Sequence, residues 1–140
     1  MKKDNIIYWT TTGIVCAVMV YSVINFNLKN PIGPEVYRTE GPFQHLHLPD
    51  YMRIELSIAK ALGVLALLIP GVPGKIKEFA YAGFAITLVS AAIAHFSVGD
   101  GPVFIIDPLL FLCVLVVSYV YYNRRLQTAK ARAGRQSVMA

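Results

Sequence analysis

Four long apolar runs, each with few charged residues, dominate the pattern of hydrophobic and polar positions along this chain. They cover residues 6–26, about 51–69, 76–97 and about 108–127. Each run holds about 20 residues, which is the length that a helix needs to cross the hydrocarbon core of a bilayer. The pattern therefore predicts an all-α fold in the form of an integral membrane four-helix bundle.

Proline and glycine mark the connections between the runs. Residues 27–50 hold six of them, so we expect no continuous helix there, and residues 70–74 hold four, which predicts a short turn. In the fourth run Asp107 stands directly before Pro108, a pair typical of a helix N-cap followed by the first helical residue. We therefore expect the fourth helix to begin at Pro108 and to end near Gln127, with an apolar lead-in before it.

Small residues recur in the third run at a spacing typical of closely packed membrane helices. Gly83, Thr87 and Ala91 follow one another every four residues, and His95 lies one turn further on. Small side chains at this spacing share one helix face and let a neighbouring backbone approach. We expect this face to bring the second and third helices close together.

The composition supports a membrane protein with one domain. The chain has 140 residues, of which 56% are hydrophobic and 15% are charged, and its mean hydropathy is +0.54. A soluble domain of this size would need more polar surface to cover itself. We divide the chain into a four-span membrane domain at residues 1–127 and a basic cytoplasmic tail at residues 128–140.

Lysine and arginine are distributed unevenly, which predicts the orientation. Of the thirteen, nine lie before the first run, in the turn between the second and third runs, or after the fourth; three lie on the other side, and Lys60 lies within a run. The positive-inside rule places the side with nine in the cytoplasm. We therefore expect a multi-pass protein of the cell (inner) membrane with both termini inside. The basic tail suits anionic lipid, and nothing in the sequence favours nucleic acid as a partner.

Lys60 is the most informative single residue. It lies ten residues after Asp50, about 15 Å along a helix, and therefore near the middle of the membrane. A lysine at that depth costs roughly 2.5–3.5 kcal/mol on insertion scales, so it should face the other helices and find a partner. Its side chain should point toward the outer side. A structural ion pair and a functional site are equally supported interpretations.

Four further polar residues lie in the same outer half of the membrane: Arg53, Glu55, His95 and Asp107. Glu55 is about 140° around the helix from Lys60, so we expect Lys60 to meet His95, Asp107 or a ligand instead. Each group has a simpler alternative role: headgroup contact for Arg53, a packed hydrogen bond for His95 and an N-cap for Asp107. Ionisable groups on three helices in one half of the membrane nevertheless predict a polar cluster in which Arg53, Glu55, Lys60 and His95 converge.

Metal and thiol chemistry have little support in the sequence. His45 and His47 stand two residues apart, but two histidines do not complete a metal site, so we expect a loop at the membrane surface and no bound metal. Cys16 and Cys113 each lie near the middle of a run and outside any CxxC pair, which favours small buried apolar side chains. The sequence holds no haem, flavin or nicotinamide motif.

Two stretches resemble the DoxX-like family. They are HLHLPDYMRIELSIAKALGVLALLIPGVP at residues 45–73 and KEFAYAGFAITLVSAAIAHFSVGDGP at residues 77–102. The shared pattern is Pro-Asp-Tyr, an Arg and a Glu, Ala-Lys, Leu-Leu-x-Pro, Ala-Tyr-Ala-Gly, then a His and Gly-Asp. The polar positions that match are Arg53, Glu55, Lys60, His95 and Asp100. The resemblance covers nearly the whole chain and implies a four-helix membrane bundle.

The resemblance implies a function only in outline. The family takes its name from a small subunit of a thiosulfate:quinone oxidoreductase, which implies a membrane subunit or accessory factor for quinone-linked redox chemistry with a polar pocket on the outer side. A redox role would then depend on a bound quinone or on a partner subunit, since no other cofactor is evident. The lipid bilayer and a second copy of the chain are further candidate partners. A small proton- or anion-coupled transporter or channel, and a non-catalytic membrane scaffold, are the alternatives.

Overall fold

The computed structural model describes residues 2–28 and 41–139, and this part of the chain forms helices without strands. The helices are α1 (Lys2–Asn27), α2 (Pro42–His45), α3 (Asp50–Leu68), α4 (Gly74–Val98) and α5 (Pro102–Met139). The all-helical fold predicted from the sequence is confirmed. Half of the long connection predicted at residues 27–50 lies outside the described residues, and α2 occupies part of the remainder.

Proline and glycine set the ends of the middle helices, as the sequence indicates. Pro49 precedes α3, and Pro73 directly precedes α4. Asp50 is the first residue of α3 and not its N-cap, a position that Pro49 occupies. Gly99 ends α4 in a left-handed conformation with φ of +78°, which a residue with a Cβ rarely adopts.

The last helix differs from its prediction at both ends. It begins at Pro102 and not at Pro108, so Pro108 lies inside it and the expected apolar lead-in is helical. Pro102 offers the same start signal, and a proline in the second turn fits helical φ at the loss of one backbone donor. The helix also continues past Gln127 to Met139. Its 38 residues span about 57 Å, which exceeds the ~30 Å of a hydrocarbon core.

The four long helices contact one another in a ring: α1 packs against α3 and α5, and α4 packs against the same two. The short α2 contacts α1 and α3. The centre contains buried apolar side chains from all four long helices, among them Val15, Leu67, Phe84 and Leu115. Large apolar side chains remain exposed on every long helix, which suits an outer surface in contact with lipid chains.

A buried hydroxyl cluster links three of the helices. The Ser118 hydroxyl on α5 lies 2.7 Å from the Thr12 hydroxyl on α1 and 2.8 Å from the Tyr81 hydroxyl on α4. Thr12 and Ser118 have no measurable exposure. Because buried hydroxyls need partners, these bonds fix how the three helices rotate against one another.

The close helix contact lies at a different glycine from the one predicted. A Cβ built on Gly63 of α3 would lie 2.6 Å from the Phe84 ring of α4, so this position requires glycine or a shift of the ring. A Cβ on Gly83 would have open space around it. The predicted close approach along Gly83 is therefore wrong, because Gly83 is exposed and α4 turns the adjacent Phe84 toward α3.

Three helices, α1, α4 and α5, are long and apolar enough to cross a membrane. The protein is therefore a membrane protein with three candidate spans in the part that the structure describes. Helix α3 is not among them, since its 19 residues include Asp50, Arg53, Glu55 and Lys60. A fourth crossing by α3 stays a prediction.

Candidate functional site

A cavity of about 320 Å³ lies between the four long helices, toward the end of the molecule where α2 is located. Its walls are mainly apolar and aromatic, with side chains such as Met19, Leu88 and Phe111. A smaller number of polar groups interrupt them: Ser22, Asn25, Lys60, Thr87, His95 and Asp107. Apolar walls with a few polar groups are typical of small-molecule sites.

Lys60 forms the polar wall of this cavity on α3. Its side chain is 5% exposed, and its Nζ donates a hydrogen bond of 2.7 Å to the Ser22 hydroxyl. The same Nζ lies 4.1 Å from the centre of the Phe26 ring, at a distance suited to a cation–π contact. Among the described residues, no carboxylate oxygen lies within 4 Å of this ammonium group. An ammonium group has three N–H donors, so one bond to Ser22 leaves capacity for a ligand.

The opposite wall comes from the start of α5. Because this helix begins at Pro102, Asp107 lies in its second turn and lines the cavity instead of capping the helix. Phe104 and Phe111 lie about two turns apart on the same wall, with Pro108 between them. The Phe104 ring also stacks on the His95 ring, with centroids 5.8 Å apart. The early helix start thus places an aromatic surface beside a carboxylate.

Asp100 joins two histidines at the α2 end of the cavity. Its carboxylate accepts hydrogen bonds of 2.8 Å from Nε2 of His45 and 2.5 Å from Nδ1 of His95. The left-handed turn at Gly99 brings Asp100 back toward α4, where its backbone N–H bonds to the His95 carbonyl. Partial burial acts to raise the pKa of Asp100, but the hydrogen bonds and charges of the two histidines hold it below its ordinary value.

Helix α2 covers the same end of the cavity. Pro42 and Leu46 contribute to the cavity wall, and the buried Phe43 ring packs edge-on against Phe26 with centroids 4.6 Å apart. His45 ties this segment to Asp100. Since Phe26 also contacts Lys60, the cover and the lysine share one aromatic neighbour.

Two of the predicted cluster residues do not reach this cavity. The Arg53 guanidinium turns back to Asp50, at 2.9 Å, and to the Asn27 side-chain oxygen, also at 2.9 Å. Glu55 is exposed. The structure therefore brings Lys60, His95 and Asp107 around one cavity, with Asp100 beside His95. Arg53 and Glu55 do not line this cavity.

Sequence reasoning missed three contributors to the site: Ser22, Phe26 and His45. Ser22 is a polar residue within an apolar run, which is a weak signal for a buried hydrogen bond. The pairing of His45 with a carboxylate 55 residues away had no local signal. His45 was expected in a surface loop, whereas it lies at the end of α2 and takes part in the site. Within the described residues, no group of three or more histidine, cysteine, aspartate or glutamate side chains is arranged for a metal ion.

Residues 10–118 match the family model described as the DoxX-like family, which is more than three quarters of the chain. The chain belongs to the DoxX-like family. All the side chains that line the cavity lie within the matched residues, as does Asp100. Comparison with curated proteins gives no match, and comparison with solved structures gives none. Family membership confirms the resemblance seen in the sequence, and the cavity belongs to the family part of the chain.

Proposed function

We propose that this DoxX-like protein binds a quinone in the cavity beside Lys60 and serves as a membrane subunit or accessory factor for quinone-linked redox chemistry. The observation that carries the proposal is a buried ammonium group in an apolar cavity with no carboxylate within 4 Å among the described residues. Such a group favours a ligand that supplies a hydrogen-bond acceptor. Electrons would come from a partner subunit, since the sequence carries no redox motif of its own.

The residues around the cavity fit a quinone head group. Lys60 can donate a hydrogen bond to one carbonyl oxygen, and Phe26, Phe104 and Phe111 offer ring surfaces for stacking. His95 is a further polar group on the same cavity. A volume of about 320 Å³ lies at the small end of the roughly 300–1,000 Å³ range of ligand pockets, which suits one substituted ring more than a long tail.

The same lysine supports a second candidate function, a small transporter for protons or anions. A buried cation in a membrane protein is a common feature of ion pathways. The cavity walls favour the quinone, because they are mostly apolar and aromatic. A purely structural role for Lys60 has less support, since the described residues offer it a hydroxyl and a ring but no counter-charge.

We further propose that α3 is a fourth membrane crossing, with both termini in the cytoplasm and the α2 end outside. Its 19 residues span about 28 Å, close to the thickness of the hydrocarbon core. The uneven distribution of Lys and Arg supports the orientation. In a chain with Cys16→Ala and Cys113→Ala, a cysteine introduced by Ser137→Cys should react with a membrane-impermeant maleimide only after the cells are opened. Labelling from outside intact cells would refute the orientation.

Lys60→Met tests the quinone site. Methionine roughly keeps the length and removes the charge, and Ser22 can turn its hydroxyl to a backbone carbonyl of its own helix, so we expect a folded protein. Loss of a charge-assisted hydrogen bond costs about 1.5–3 kcal/mol, so the Kd for a short-chain benzoquinone should rise about 10- to 150-fold. Isothermal titration calorimetry of the purified protein in lipid nanodiscs measures this change.

Lys75→Met is the matched control, because Lys75 is exposed and lies outside the cavity. It should bind the quinone as the unmodified protein does. Equal affinity in the Lys60→Met variant would show that the lysine does not hold the ligand. If the unmodified protein binds no quinone, and Lys60→Met abolishes proton or anion flux in liposomes, the transporter replaces the quinone site.

A further inference from the structure

A second cavity, which we call the basic groove, lies at the opposite end of α1 from Lys60. It has a volume of about 320 Å³ and runs between the first turn of α1 and the part of α5 near residue 128. Its walls include Lys2, Asp4, Asn5, Arg125, Thr128 and Arg132. Lys2 and Ser22 are twenty residues apart on one helix, so the groove lies about 30 Å from the Lys60 site. The two sites are therefore separate in space.

The charges and donors of the basic groove suit a phosphate group. Three cations face one carboxylate, that of Asp4, and the Asn5 amide adds an uncharged donor. The Arg125 guanidinium is held in place, since it lies 4.2 Å from the centre of the Tyr8 ring and 5.6 Å from that of Trp9. A guanidinium with a fixed position can bind two phosphate oxygens at once.

The surface beside the groove indicates that the phosphate belongs to a lipid. Lys2 and Ile6 share one face of α1, and so do Asn5 and Trp9, because residues four apart lie one above the other. Ile6 is 64% exposed and Trp9 is 37% exposed. A tryptophan and an exposed apolar side chain one turn inward from cations are typical of the membrane–water interface. They would contact acyl chains, which a free phosphate does not have.

We propose that the basic groove binds the phosphate group of an anionic membrane lipid, with its acyl chains lying along α1 beside Ile6 and Trp9. Basic pockets between membrane helices recognise anionic headgroups by this chemistry. The site differs from the general attraction of a basic tail to anionic membranes, since Arg125 and Arg132 of α5 line the groove whereas Lys130 and Arg135 of the same helix do not. Lys130 and Arg135 are exposed.

Native mass spectrometry of the full chain, released from nanodiscs made with equal amounts of phosphatidylglycerol and phosphatidylcholine of the same acyl chains, tests this proposal. The unmodified protein should retain phosphatidylglycerol in preference. The double variant Arg125→Gln, Arg132→Gln should lose about tenfold or more of that preference. The double variant Lys130→Gln, Arg135→Gln removes the same charge outside the groove and should keep it.

A second pair of variants allows for the chance that loss of Arg125 disturbs its aromatic contacts and the fold. Arg132→Gln alone should weaken the preference, whereas Lys130→Gln alone should not. Equal losses in the groove and control variants would overturn the proposal in favour of diffuse charge. An unmodified protein without any preference for phosphatidylglycerol would overturn it too. Inorganic phosphate and added phosphatidylglycerol can be compared as competitors for the bound lipid. If inorganic phosphate at low millimolar concentration displaces the bound lipid equally effectively, the site is a phosphate site and not a lipid site.

Discussion

Gly63→Ala should weaken the packing of α3 against α4. The added methyl group would lie 2.6 and 2.7 Å from two atoms of the Phe84 ring, which is less than carbon atoms tolerate. Phe84 is 3% exposed and belongs to the core, so its ring has little room to turn away. Overpacking of this kind costs about 1–3 kcal/mol, while replacing a helical glycine by alanine gains about 1 kcal/mol. We therefore expect a net loss of up to about 2 kcal/mol.

Gly83→Ala is the matched control for this prediction. It makes the same chemical change in the neighbouring helix, and nothing lies within 4 Å of the new methyl group. It should gain only the stability of about 1 kcal/mol that alanine has over glycine in a helix. The two variants should therefore differ by about 1–3 kcal/mol in free energy of unfolding. Reversible unfolding by titration of SDS into mixed micelles, followed by circular dichroism, measures this difference.

A double variant isolates the contact with the ring. Phe84→Leu removes the ring atoms that the new methyl group would meet. The double variant Gly63→Ala, Phe84→Leu should therefore be more stable than the sum of the two single effects predicts. The reasoning is refuted if Gly63→Ala is as stable as Gly83→Ala, or if the two substitutions are additive.

Two further predictions concern polar contacts. Ser118→Ala removes the shared partner of the Thr12 and Tyr81 hydroxyls and should cost about 1–3 kcal/mol in the same unfolding assay, whereas Ser90→Ala at an exposed site should change stability little. Asp100 has a lowered pKa in the folded protein, so its charged form contributes stability above its unfolded-state pKa of about 3.9 and this contribution is lost as the pH falls through the lower folded-state value. Asp100→Asn should lower Tm at pH 7 and flatten the fall of Tm below about pH 4; an unchanged acid profile would contradict the bridge.

The helices were predictable wherever a single physical signal decides them. Apolar runs of about 20 residues predict the long helices, and the Pro and Gly residues at 70–74 predict the turn before α4. The start of α5 was not predictable, because Pro102 and Pro108 both carry a start signal and local rules do not rank them. No glycine or proline follows Gln127 directly, so the sequence carries no stop signal there. A longer helix, such as the observed continuation to Met139, was therefore compatible with the sequence.

The candidate site was predictable in part for a similar reason. The depth of Lys60 along its helix follows from counting residues, and so does the need for it to face protein. Its contacts with Ser22 and Phe26 depend on how far α1 is rotated about its axis, which the buried hydroxyls of Thr12 and Ser118 help to fix. Arg53 shares the helix face of Lys60 but turns to Asp50, because an acidic group three residues away competes with the cavity.

Because α5 is long, a small tilt of this helix would move its C-terminal end by a large distance. It lines the cavity near Pro108 and continues as one helix to Met139, 31 residues further on, which is a distance of about 46 Å. A tilt of about 5° at the cavity would move the far end of such a rod by about 4 Å, several times the displacement of the atoms beside the cavity. A tilt too small to alter the cavity visibly would thus be magnified at the C-terminal end of this helix.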